Sequence, residues 1–116
     1  YLDTKLVLRA LGFSWKAQVE SVRETVRLLR EKYDAEIGIF QETRREVQNA
    51  LSIAGRAFQK HRLIADGELK LYCELNLSEA RRLEDYADSL DALLERELGI
   101  KAVTAIDKDE PKVKKV

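Results

Sequence analysis

Three apolar stripes at helical spacing constrain this chain more than anything else in it. Val19, Val22, Val26 and Leu29 fall at steps of three and four, and so do Val47, Leu51, Ala54 and Phe58. Leu83, Leu90, Leu94 and Leu98 share one face of a third run. Residues three and four apart lie on the same side of an α-helix, so each stripe predicts an amphipathic helix with one side to bury. Arginine and glutamate fill the other side of the first stripe, with Glu20 and Glu24 set against Arg23, Arg27 and Arg30. The first helix is expected from Trp15 to about Tyr33, capped by Ser14. The second is expected to open at Thr43, because Thr43-Arg44-Arg45-Glu46 matches a capping box, in which hydroxyl and carboxylate satisfy each other's backbone N–H. The third should run from Ser78 to Leu98 and stop at Gly99.

Shorter apolar runs separate these helices. Tyr1 to Asp3 reads as the tail of a strand, followed by a short helix over Lys5 to Leu11 that Gly12 ends. Ala35 to Phe40 is β-branched and partly alternating, and Ile100 to Ile106 alternates in the same way, so both are expected strands. His61 to Gly67 reads as a loop. Glu68 to Leu75 fits two periods: Leu69, Leu71, Cys73 and Leu75 alternate, while Leu69, Tyr72 and Cys73 suit a helix. Charged residues in the gaps favour the helix. Strand, helices, strand, helices, strand is the order of a parallel sheet with right-handed crossovers. The expected fold class is therefore α/β, a small central parallel sheet flanked by helices and incomplete as it stands.

The 116 residues suit one domain, and 45% hydrophobic with 36% charged residues marks a globular, helix-rich chain. Lys plus Arg equals Asp plus Glu at 21 each, so no overall basic charge draws a polyanion. Any nucleic acid would be held by a local patch or a bound cation. Cys73 is alone, which excludes an internal disulfide and suits a reducing, cytoplasmic compartment. The apolar runs are too short to span a membrane, and no signal peptide is visible. The absence of methionine and the start at Tyr1 inside an apparent strand predict a piece of a longer protein. The domain is expected over 1–110, with a polar helical insertion at about 62–98 and a charged tail or chain break at 111–116.

Two carboxylates carry the chemistry. Asp3 ends a short apolar run just before a helix, and Glu46 holds a matching place after the next such run. In an open α/β sheet both would face the crevice at the carboxyl ends of the strands, where such folds place their sites. The structural alternatives are direct: an Asp-Thr step caps helices, and a capping box accounts for Glu46. His61 has no partner at ligand spacing and reads as a loop residue. Cys73 reads as core. Trp15 reads as a staple or lid at a helix start, with base stacking as the other role. The five glycines form no phosphate-binding loop.

Leu2-Asp3-Thr4-Lys5-Leu6-Val7-Leu8-Arg9-Ala10-Leu11-Gly12 and Ile39-Phe40-Gln41-Glu42-Thr43-Arg44-Arg45-Glu46-Val47 resemble the first two motifs of the PIN-domain nucleases. In that family a strand ends in Asp-Thr-Asn before an apolar helix, and a second strand leads into Thr-x-x-Glu. Glu97-Leu98-Gly99-Ile100 is similar to a later step of large bacterial and archaeal members. The resemblance implies a PIN-like three-layer α/β fold and Mg²⁺- or Mn²⁺-dependent cleavage of RNA, with DNA as the lesser substrate. It implies that Asp3 and Glu46 are catalytic and hold the metal, with Thr4, Lys5, Arg9, Thr43, Arg44 and Arg45 as candidate substrate contacts; Lys5 reads equally as a solvated helix-start lysine or as a charge that displaces the metal, and Arg9, Arg44 and Arg45 equally as surface arginines. Lys5 stands where the family has Asn, and the family's later acids have no convincing match, since Asp107 and Asp109 sit in a charged tail. That departure motivates a second reading, a catalytically degenerate module that binds nucleic acid or protein, including other domains of the same protein. A third reading is a helical interaction module that self-associates through its amphipathic helices near 16–32, 43–60 and 78–98.

Overall fold

The computed structural model describes residues 1–34 and 36–100. Seven helices occupy them: α1 (Thr4–Ala10), α2 (Lys16–Tyr33), α3 (Gln41–Gln59), α4 (Gly67–Leu75), α5 (Leu77–Ala80), α6 (Leu83–Asp88) and α7 (Leu90–Leu98). The expected α/β fold, PIN-like with a central parallel sheet, is corrected by this arrangement: no strand ladder forms among the described residues. Tyr1–Asp3 and residues 36–40 lie side by side, joined by a backbone hydrogen bond from the Leu2 N–H to the Gly38 carbonyl at 3.1 Å, while Ala35 lies outside the described residues. Both runs serve the core all the same: Ile39 is fully buried in it, and Leu2 and Ile37 pack against it. Of the third expected strand only Ile100 is described, and 101–106 lies outside the described residues, as does the expected tail at 111–116.

The stripes explain the core. Val22 and Val26 of α2, Val47, Leu51 and Ala54 of α3, and Leu83, Leu90, Leu94 and Leu98 of the last two helices are buried together with Val7, Leu8 and Phe13. Leu29 is 36% exposed, so the α2 stripe ends one turn early. Helix α4 buries Leu69, Tyr72 and Cys73 and exposes Leu75, which is the helical alternative for that segment. The segment expected as an insertion thus contributes to the same core as the rest.

Three helix boundaries differ from expectation, each for a local reason. Helix α3 starts at Gln41 behind Phe40, and Thr43 is buried within its first turn, so no capping box forms. Helix α2 is preceded by Trp15 without a side-chain cap, because the Ser14 hydroxyl is used elsewhere. The single helix expected over 78–98 is three short ones. The Arg82 N–H reaches back only three residues, to the Glu79 carbonyl, which tightens the chain there. The Ser89 hydroxyl bonds the Asp85 carbonyl at 2.8 Å, a local bond that bends helices.

Helix α2 also binds two other helices by their ends. Arg23 Nε donates to the Ala10 carbonyl at 2.8 Å, and Arg30 Nη2 donates to the Leu98 carbonyl. These arginines lie two turns apart on one face, and each sets a positive charge on the partly negative C-terminus of a helix. Gly99 ends α7 at φ 68°, and a Cβ there would run into the Arg30 guanidinium. Arg23→Ala should lower stability by about 1 kcal/mol, the usual worth of such a bond. A urea-midpoint comparison with Arg23→Lys, which retains charge and loses the directed Nε bond, separates the two contributions. No helix among the described residues is long and apolar enough to cross a membrane.

Candidate functional site

The adjacent starts of α1 and α3 bring the two carboxylate-bearing motifs to one edge. Stacked rings at the paired extended segments, Tyr1 on Phe40 with centroids 4.3 Å apart and planes within 10°, hold these starts together. Asp3 precedes α1 in extended backbone, and its Oδ1 accepts from the Leu6 N–H at 2.9 Å. The next residue, Thr4, donates its hydroxyl to Glu46 Oε1 at 2.5 Å. Glu46, a full turn into α3, is therefore carried to the side of Asp3's neighbour. Both carboxylates are exposed, and each already accepts one hydrogen bond from the protein.

The cations expected to contact substrate are mostly consumed by carboxylates. Arg9 makes a forked pair with Glu68, Nε to Oε1 at 3.0 Å and Nη2 to Oε2 at 2.6 Å. Lys5 Nζ lies 3.4 Å from the same Oε2, and the Ser14 hydroxyl donates to Oε1 at 2.7 Å. The Arg9 hydrogen bond is the main cause that lowers the Glu68 pKa from 4.5 to about 2, against the opposing effect of burial and with further help from Ser14 and Lys5. Arg44 forks onto Asp91 of α7 at 2.6 and 3.0 Å. Thr43 is buried in the first turn of α3. Of the four expected cations only Arg45 is exposed and without an ion pair among the described residues.

Sequence reading missed Glu68. Its signal was indirect: Asp66 opens α4 by accepting from the Glu68 and Leu69 N–H groups, both at 3.0 Å, which sets Glu68 in a first helical turn. Lys5 and Arg9, one turn apart on a helix, also required a carboxylate from elsewhere. A cavity of about 160 Å³ lies beside this cluster, lined by Thr4, Leu8, Phe13 and Leu69 together with Lys5, Asp66 and Glu68.

A hard divalent cation such as Mg²⁺ is commonly held by one or two carboxylates, with water and substrate phosphate completing its shell. Asp3 and Glu46 fit that sparse donor set. No cluster of three or more acidic, His or Cys side chains suited to a metal occurs among the described residues. Asp107 and Asp109 lie outside them. His61 is exposed in a left-handed turn at φ 56°, and Trp15 is half-buried where α2 begins. Cys73 is in the core, where burial pushes its thiol pKa up. Comparison with family models, curated proteins and solved structures gives no match.

Proposed function

We propose that this chain acts on nucleic acid, RNA in the first place, through a divalent-cation site at Asp3 and Glu46 that hydrolyses phosphodiester bonds. The observation that supports this reading is the Thr4–Glu46 hydrogen bond, which brings Glu46 beside the residue that follows Asp3. The motif resemblance to PIN-domain nucleases supports the chemistry, though the described residues lack that family's sheet. Asp3 and Glu46 would hold Mg²⁺ or Mn²⁺, which supplies an activated water and offsets charge on the phosphate. The chain's own part is positioning. The backbone bond to Leu6 fixes Asp3, and the Thr4 hydroxyl fixes Glu46. The lone thiol in the core accords with a cytoplasmic setting.

Asp3→Asn tests the site cleanly, because asparagine caps helices as well as aspartate and preserves the fold. Cleavage of labelled RNA with Mn²⁺ should fall on the order of 100-fold, as when a charge stabiliser is removed from an active site. Glu46→Gln retains the Thr4 bond and should fall similarly. Equal cleavage by wild type and Asp3→Asn rejects the proposal. A second reading, binding without hydrolysis, is favoured by the absence of a third acid among the described residues. It predicts RNA binding with no Mn²⁺-dependent cleavage and no saturable Mn²⁺ uptake lost in Asp3→Asn.

A further inference from the structure

Positive charge is distributed unevenly on this neutral chain. Most cations of α1, α2, α3 and α4 face a carboxylate within ion-pair distance. Lys60, Arg62, Arg81 and Arg82 do not: among the described residues none of the four makes an ion pair. All four are exposed, as is His61 between the first two. The fold brings the two sequence segments together. Helix α3 ends in a tight turn, with His61 at φ 56° and the Arg62 N–H on the Ala57 carbonyl at 2.8 Å. Just before it, Gln59 Nε2 reaches the Arg81 carbonyl at 3.5 Å.

The acids nearby are turned to other tasks. Glu84 meets Arg56 at 3.4 Å, and Glu79 accepts from the Tyr86 hydroxyl. Asp85, one turn beyond Arg82, pairs with none of the four. The Arg82 guanidinium lies over the Tyr86 ring, 5.4 Å from its centroid, so a planar cation is presented on a flat support.

We infer that Lys60, Arg62, Arg81 and Arg82, with His61, form a surface that binds the phosphate backbone of single-stranded nucleic acid. Unpaired cations are what a phosphate chain needs, since binding then breaks no internal ion pair. An anionic membrane surface suits the patch less well. Interfacial binding requires a continuous apolar face on an amphipathic helix, and here a turn and a helix junction carry the charge. The ligand class rests on the nucleic-acid reading above, but the surface is separate from the Asp3–Glu46 edge. In a longer RNA it would anchor the strand while the edge acts on another phosphate.

The test is fluorescence anisotropy with a labelled oligouridylate of about 16 nucleotides, a length at the upper end of single-strand sites. Lys60→Gln/Arg62→Gln/Arg81→Gln/Arg82→Gln should weaken binding at least tenfold. It should also flatten the salt dependence by roughly 3 in log–log slope, at about 0.7 per released cation. Lys16→Gln/Arg27→Gln/Lys32→Gln/Lys70→Gln alters net charge equally and should leave affinity within about twofold if the patch is local. Circular dichroism checks that both variants fold. Absence of RNA binding by the wild type, equal binding by the patch variant, or equal weakening in the control variant overturns the inference. So does patch-dependent binding to phosphatidylglycerol vesicles without RNA binding. Asp3→Asn should bind the oligonucleotide normally. Patch-dependent binding without cleavage would therefore reject the nuclease alone, and Asp3-dependent cleavage with an indifferent patch would reject the patch alone.

Discussion

Gly55→Leu should lower the free energy of unfolding by about 3 kcal/mol, the upper range for overpacking a core, with a matching fall in the urea midpoint. Gly55 is buried where α3 crosses α6. A Cβ built on it would lie 3.0 Å from the Glu84 backbone nitrogen, 3.0 Å from Leu83 Cβ and 3.1 Å from Glu84 Cγ. Two of these neighbours are main chain or directly attached to it, so they yield only if α6 moves. Leu83 is fully buried, and its displacement would open the core on the far side.

Alanine at the same place sets two effects against each other. It gains roughly 0.8–1.0 kcal/mol of helix propensity over glycine. It also forces α6 outward by a few tenths of an ångström, so Gly55→Ala should come out within about 1 kcal/mol of wild type. Leucine adds bulk without further propensity gain, and the step from alanine to leucine should carry nearly all the loss. Gly67→Ala is the control, because nothing lies within 4 Å of its added carbon. It should be neutral or stabilising by about 0.5 kcal/mol. If Gly55→Leu unfolds within about 1 kcal/mol of wild type, α3 and α6 are not packed as described.

The same crossing shows what the sequence concealed. Val47, Leu51 and Ala54 announced the buried face of α3 through their spacing, and they are buried. Gly55 lies next to that stripe, and only the arrival of α6 gives it a reason. Helix content was legible because period is a local property. The expected sheet failed because Tyr1–Asp3 and the run ending at Phe40 do have strand composition, yet a strand requires a neighbour with matching register. The Leu2–Gly38 bond joins the two runs, but no regular ladder extends from it among the described residues. Helix starts were misjudged where a polar side chain had a distant partner. Ser14 has the residue type and place of a cap, but its hydroxyl reaches Glu68, fifty-four residues on. Glu46 stands at capping-box spacing from Thr43, but it meets Thr4 instead. At the candidate site, the two motifs meet through Thr4 and Glu46 without the sheet that was expected to align them, and nothing local in the sequence signals the neutralisation of Lys5, Arg9 and Arg44. Each of those partners comes from a helix distant in sequence, Glu68 on α4 or Asp91 on α7.

Glu68→Ala should cost about 2–4 kcal/mol, because it removes the shared acceptor of Arg9, Ser14 and Lys5 at once. The side chains of Arg9 and Glu68 are only 21% and 15% exposed, so water cannot fully replace the lost carboxylate. Ser14, itself 5% exposed, loses its acceptor as well. Glu68→Gln retains a carbonyl oxygen for one donor and should cost less, about 1–2 kcal/mol. The two variants also predict a pH signature. The folded pKa of about 2 lies below the ordinary 4.5, mainly through the Arg9 hydrogen bond. Such a group contributes stability that is complete above the unfolded value and disappears as pH falls toward the folded one. The full linkage is on the order of 3 kcal/mol, and the exposure of Lys5 and the rim of Arg9 brings it to about 2. Denaturant midpoints measured from neutral pH down to about 2 should therefore fall in the wild type across the 4.5-to-2 window. In Glu68→Gln that portion of the fall should be missing, so the two curves converge in acid. Parallel curves would mean that Glu68 is not held by Arg9 in solution, and α4 would then lose its main polar tie to α1.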